Sequence, residues 1–200
     1  MTPARWSPAV VVLHWLNAAL TLELLAHGWA MTHAVFVAAT TFDLYQWHKA
    51  LGFSALALTA IRLAARLRFA APEPVAGWEG RLARTVQASF YGLTLFAIGA
   101  GWLVVSTSPL PIPTRFFGLF IVPNIARPDA ALFAWATLAH RVGTYAIAAL
   151  VALHVAGALK HHWIDRDDTL TRMRPRWPNK WGVCNGGTVS SGARGQKSWK

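Results

Sequence analysis

The chain has 200 residues, of which 54% are hydrophobic and only 14% charged, whereas an average soluble domain is about 25% charged; the composition argues against a water-soluble globule. The formal net charge is +11, but the basic residues sit outside the apolar runs and no basic helix or RNP-like pattern occurs, so nucleic acid is not an expected partner. A lone cysteine, Cys184, excludes an internal disulfide, iron–sulfur ligation and covalent c-type haem attachment.

A helix needs about 20 apolar residues to cross the hydrocarbon core, and four segments qualify, at about 9–31, 45–67, 85–106 and 135–160. Arg5 precedes the first run as in a signal peptide. The run outlasts an h-region and no clear cleavage site follows, so it reads as a retained span. Gly and Pro cluster at 72–80 and at 109–128, between the second, third and fourth spans. Within the second cluster, Phe116, Phe117, Gly118, Leu119 and Phe120 read as an interfacial turn or short helix. No internal repeat or soluble domain is apparent. Residues 1–176 read as one all-α integral membrane four-helix bundle, and 177–200, rich in Gly, Ser and Lys, as a disordered tail.

Positive charge near the span ends sets orientation. Arg5, then Arg62, Arg66, Arg68, Arg81 and Arg84, then Lys160, Arg166, Arg172, Arg174 and Arg176 fall on one side. The other has Lys49, Arg115, Arg127 and Arg141 over longer connections. Both termini are therefore expected in the cytoplasm. Eleven tryptophans are present; Trp6, Trp29, Trp47, Trp78, Trp102, Trp135 and Trp163 lie near span boundaries, as an aromatic belt does.

The chain has eight histidines, and an ionisable residue inside a span is a functional hypothesis by default. In this topology His14 and His154 share the inner depth, His48 and His140 the outer. His140 and His154 are 14 residues apart, about 21 Å along a helix and close to four full turns, so both project from nearly one face. The alternative for any one of them is a polar residue bonded to a carbonyl, which explains four residues matched in depth and face poorly. The pairs His14/His154 and His48/His140 suit two bis-histidine haems stacked in a bundle.

Gly28, Gly52 and Gly101 either make room for a flat macrocycle or serve ordinary helix packing. Arg62, 14 residues after His48, faces the bundle at the inner depth, either pairing with a haem propionate or snorkelling as a topology charge. Glu23 reads as a proton route or a locally bonded partner of His27. His27 and His33 read as interfacial, and His161 and His162 as rim residues near a propionate or a quinone. A compact zinc site is disfavoured because the paired histidines lie at two depths.

An ordered series of motifs resembles the bacterial cytochrome b561 family over about residues 5–175: Arg5-Trp6-Ser7, Leu13-His14-Trp15-Leu16, His48-Lys49 with Leu51-Gly52, Arg62-Leu63 with Arg66, Gly101-Trp102, Phe117-Gly118-Leu119, His140, His154, and His161-His162-Trp163 running into Asp165-Arg166-Asp167, Leu170 and Arg172-Met173. The resemblance implies a multi-pass protein of the bacterial inner membrane, surrounded by lipid, with two haem b held by His14, His48, His140 and His154. It implies electron transfer between an outer donor, a small anion such as superoxide or a reduced protein, and the quinone pool, with ubiquinone as substrate. As an enzyme the chain would be an oxidoreductase of superoxide:quinone type. The rival reading is a haem-bearing anchor subunit for a separate dehydrogenase or hydrogenase-like partner, and a homodimer is compatible with either. Many relatives have a histidine where this chain has Gln87, which puts a quinone or rim role at that place in doubt. The tail beyond Arg176 lies outside the pattern.

Overall fold

The computed structural model describes residues 5–70, 72, 77–110 and 112–175; the tail expected to be disordered lies outside them. Four long helices form: α1 (Pro8–His33), α2 (Ala38–Arg68), α3 (Gly77–Thr107) and α4 (Ala130–Lys160). All four are long and apolar enough to cross a membrane. Ser7 starts α1 by accepting the Val10 amide at 3.4 Å, with Pro8 in the first turn, where no amide is needed. Asp129 starts α4 by accepting from Leu132 at 2.8 Å.

The helices outrun the expected spans. The second begins at Ala38 rather than near 45, the third at Gly77 rather than near 85, and the fourth at Ala130 rather than near 135. Hydropathy marks only the stretch that matches hydrocarbon, about 30 Å. A helix of 31 residues is about 46 Å long, so polar turns at its ends continue into the headgroup region.

α1 lies mainly against α2, and α3 against α4. The buried apolar residues are few and mostly small: Val10, Val11, Ala50, Ala55, Ala97, Val122, Ala136 and Ile147. Leu16, Leu22, Trp29, Leu95 and Trp135 are exposed, as lipid-facing side chains are. Large aliphatic side chains therefore do not fill the middle of the bundle; the histidines meet there.

Both ends of the bundle are tied. At one end the chain leaves α4 through a π-helical turn (His161–Asp165) and a short 3-10 turn (Thr171–Met173). Trp15 Nε1 donates to the Met173 carbonyl at 2.8 Å, which returns this segment to α1. The start of α1 and the end of α4 thus share this terminal end. At the other end 116–120 is neither helix nor simple turn. Strands β1 (Thr114–Phe116) and β2 (Phe120–Val122) pair antiparallel with Phe116 opposite Phe120. Phe117 (φ 49°) and Gly118 (φ 77°) turn the hairpin. Both have the positive φ that tight hairpin turns need; glycine tolerates this at no cost, and Phe117 is held there by Trp47 and Phe116, 5.4 and 4.8 Å away.

The hairpin is fastened to the helices by side chains. Gln46 donates to the Pro113 carbonyl (3.0 Å) and accepts from the Arg115 amide (3.2 Å). Trp102 Nε1 donates to Pro123 (3.0 Å), and Ser106 Oγ accepts from Ile125 (3.1 Å). α2 and α3 therefore carry a fixed cap at the hairpin end.

Candidate metal centres

α4 presents His140 and His154 to the other helices at two depths. His154 meets His14 of α1 with ring centroids 6.2 Å apart and ring planes at 72°. His140 meets His48 of α2, also at 6.2 Å, with planes at 89°. The structure thus brings together the two pairs expected from spacing, one toward the terminal end and one toward the hairpin end.

The spacing can be tested against a shared metal. With metal–nitrogen bonds of about 2 Å and about 1.1 Å from nitrogen to ring centre, two imidazoles trans on one metal have centroids about 6 Å apart. Both pairs fit that separation. Each pair brings together two imidazoles, and among the described residues neither belongs to a cluster of three or more metal-ligating side chains, which would suit a metal that takes its remaining ligands from a macrocycle.

The surroundings of each ring differ. His140 Nδ1 donates to the Ala97 carbonyl of α3 at 2.8 Å. That bond fixes the tautomer and leaves Nε2 as the lone-pair nitrogen, the usual arrangement for a ligating histidine. A Cβ on Gly101 would lie 3.0 Å from His140 Cε1 and Nδ1, and one on Gly28 would lie 3.3 Å from His48 Cε1. These glycines make room for the imidazoles. Gly52 differs: a Cβ there would meet nothing within 4 Å, so its α-carbon borders open space one turn from His48 of the hairpin-end pair.

Other expected site residues fall as follows. Arg62 Nη2 donates to His14 Nδ1 at 3.1 Å, and its guanidinium carbon lies 5.6 Å from the Tyr91 ring centre. Arg62 therefore faces the bundle and is no peripheral topology charge. His27 is more than an interfacial residue: it donates through Nε2 to the Leu44 carbonyl (3.0 Å), and its ring lies 5.9 Å from that of His48. Its Nδ1 is 3.4 Å from Glu23 Oε1, the locally bonded arrangement. His33 stacks on Trp29 with ring centroids 5.2 Å apart. Lys49 reaches back to the Pro113 carbonyl at 3.4 Å, so it belongs to the hairpin cap.

His161 sits at the terminal rim with Asp165 and Asp167, its Nδ1 3.1 and 2.8 Å from their carboxylates. These three have ligand atoms close enough for a cation, a compact set absent from the sequence reading. Lys160 Nζ, 2.6 Å from Asp165 and 3.7 Å from Glu79, already supplies the positive charge. Burial pushes the Asp167 carboxyl up, but hydrogen bonds from Thr169 and then His161 outweigh it and hold the group below its ordinary value of 3.8.

Sequence reasoning missed three contributors: the Ala97 carbonyl, Tyr91, and a polar contact between Asn17 and Thr59. Thr59 Oγ1 donates to Asn17 Oδ1 at 3.1 Å, and Asn17 Nδ2 donates to the Leu13 carbonyl at 3.0 Å. Asn17 follows His14 by nearly one turn and Thr59 precedes Arg62 by nearly one turn. A polar pair at matching depth on the first two spans was the available signal.

Comparison with known proteins adds a second line of observation. Residues 5–176 match the family model described as prokaryotic cytochrome b561. The chain is similar to cytochrome b561 homolog 2 of Escherichia coli (strain K12), 30% identical over 184 residues that cover 91% of this chain and 97% of that protein. It is also similar to cytochrome b561 homolog 1 of the same organism, 25% identical over 181 residues that cover 86% of this chain and 98% of that protein.

Proposed function

The chain belongs to the prokaryotic cytochrome b561 family, a family of haem b electron-transfer proteins of the membrane, and on that premise we propose that it holds two haem b at the pairs His14/His154 and His48/His140. The observation that carries this reading is the same 6.2 Å separation in both pairs, built on one helix. Arg62 supplies a cation beside the terminal-end pair, and Gly52 leaves a face of α2 free for a macrocycle beside the other.

Haem b supplies reversible one-electron chemistry, and iron with two histidine ligands has no open position, which favours outer-sphere transfer over oxygen binding. The protein's own residues set the tautomer of His140 through the Ala97 carbonyl and separate the two centres in depth. The concentration of Arg and Lys at the terminal end supports an inner-membrane orientation with both termini in the cytoplasm. The hairpin end then faces the donor. We assign the donor as superoxide and the acceptor as ubiquinone: two superoxide ions each give up one electron and leave as dioxygen, and the quinone takes two electrons and two protons.

The test is a redox-titrated absorption spectrum of the purified full chain with haem counted per polypeptide, followed by superoxide-driven quinone reduction. Two reducible haems and quinone reduction by the isolated chain are expected. Two haems without that activity would make the chain an anchor subunit of a larger oxidoreductase. A colourless protein would refute the reading altogether.

A further inference from the structure

Arg62 carries a half-buried charge with an incomplete set of partners. Its Nε is buried without a hydrogen-bond acceptor, and so is the hydroxyl of Tyr91 on α3, whose ring lies beneath the guanidinium at 5.6 Å. No carboxylate of the described residues bridges to Arg62 or to Arg66. Arg66 rests its guanidinium on the Trp6 ring at 4.5 Å. A cation partly withdrawn from water without a counter-charge is costly, and so is each buried donor left unmatched.

Among the described residues, the side-chain acceptor of Arg62 is His14, and this bond is the wrong kind for a ligating histidine. Arg62 can only donate, so His14 Nδ1 must accept and the ring proton must sit on Nε2. A histidine bound to iron through Nε2 carries its proton on Nδ1. The Arg62–His14 bond and ligation by His14 Nε2 therefore exclude each other. When His14 binds a metal through Nε2, the guanidinium needs a different acceptor, and Tyr91, whose ring packs against the guanidinium, offers a second unmatched donor.

We propose that Arg62 and Tyr91 form a carboxylate-binding subsite, and that its occupant is a propionate of the porphyrin held by His14 and His154. The proposal rests on the haem reading above and adds Tyr91 as a binding residue. An unpartnered Nε on α2 and an unpartnered hydroxyl on α3, on side chains whose guanidinium carbon and ring centre are 5.6 Å apart, suit the two oxygens of one carboxylate, with the guanidinium supplying the charge. Lipid carboxylates or phosphates share this chemistry, so the test must identify the source.

The experiment uses the full-length haem-loaded chain in lipid nanodiscs, with haem labelled with carbon-13 in its propionates by feeding labelled precursor to the cells. Reduced-minus-oxidised infrared spectra then report the carboxylates. In the wild type, bands that move with the label are expected, and in Tyr91→Phe and Arg62→Lys those same bands shift. Transfer of the His14/His154 haem to an excess of a haem-scavenging protein should be about tenfold faster in Tyr91→Phe and about a hundredfold faster in Arg62→Ala, with Arg62→Lys recovering part of the loss. If Arg62→Ala does not fold, Tyr91→Phe and Arg62→Lys decide. Variants with full haem, unchanged label-sensitive bands and unchanged transfer would overturn the subsite. So would band shifts that ignore the label, which would assign the anion to lipid. A protein that contains no haem overturns the underlying reading, a result distinct from either.

Discussion

Gly101 of α3 lies directly against the imidazole of His140 of α4: a Cβ at this glycine would come within 3.0 Å of two ring atoms. The same ring is held by its 2.8 Å bond to the Ala97 carbonyl, one turn earlier on α3. α3 therefore both anchors and shapes the histidine without supplying one. Gly101→Ala should force the ring or the helix to give, at about 1–3 kcal/mol for overpacking a close contact, and weaken haem at the His48/His140 pair. Gly28→Ala, with its 3.3 Å contact to His48, should do so less. Gly52→Ala meets no protein atom within 4 Å and should leave the fold unchanged while reducing haem content. Haem per chain and thermal stability, measured on the three variants together, check the order; equal haem content in all three would contradict it.

Single histidine replacements should divide the haem signal in two. His48→Ala and His154→Ala act on different pairs, at about 21 Å separation along α4. Each should lose one haem and keep the other, with a different component missing from the redox titration. His140→Ala should reproduce His48→Ala, and His14→Ala should reproduce His154→Ala. Loss of both haems from every variant would show that the pairs are not independent sites.

The interval between His140 and His154 made the inward side of α4 legible, because a helix repeats its face after close to four turns. Depth on the other spans then nominated His14 and His48, whose rings meet those of α4. Helix ends were not legible, since hydropathy follows the hydrocarbon and hydrogen bonding continues past it. The hairpin was hidden for another reason. Its strands have three residues each, too short for an alternating pattern, and its position depends on Gln46 and Trp102, distant in sequence. Tyr91 and the Ala97 carbonyl carry no periodic signal; their roles exist only once α3 lies beside α2 and α4.

Asn17 and Thr59 should act as a polar clasp between α1 and α2 beside the His14 site. Their contact of 3.1 Å joins the two helices through a side-chain hydrogen bond. Hydrogen bonds between membrane helices contribute about 0.6 kcal/mol on average and seldom more than about 1.7. Thr59→Val should cost about that much, and Asn17→Leu slightly more because Asn17 also bonds the Leu13 carbonyl. Reversible unfolding in mixed micelles measures both. A double variant no worse than the poorer single one is expected, since the two residues share one interaction.

Asp167 gives the rim at the terminal end a dependence on acid. Its carboxyl is pushed up by partial desolvation, but the hydrogen bonds from Thr169 and His161 prevail and hold it below 3.8. A depressed folded-state value means the carboxylate stabilises the rim fully above its unfolded value. That contribution fades as pH falls through the lower, folded value. Being largely exposed, the group should influence the rim and not the bundle. Carboxyl-labelled aspartate should therefore show Asp167 titrating with a midpoint below 3.8, while haem absorption stays constant over the same interval. Thr169→Pro removes the donated amide and should move the midpoint upward. A midpoint unaffected by that change would mean that the Thr169 amide does not hold the carboxylate.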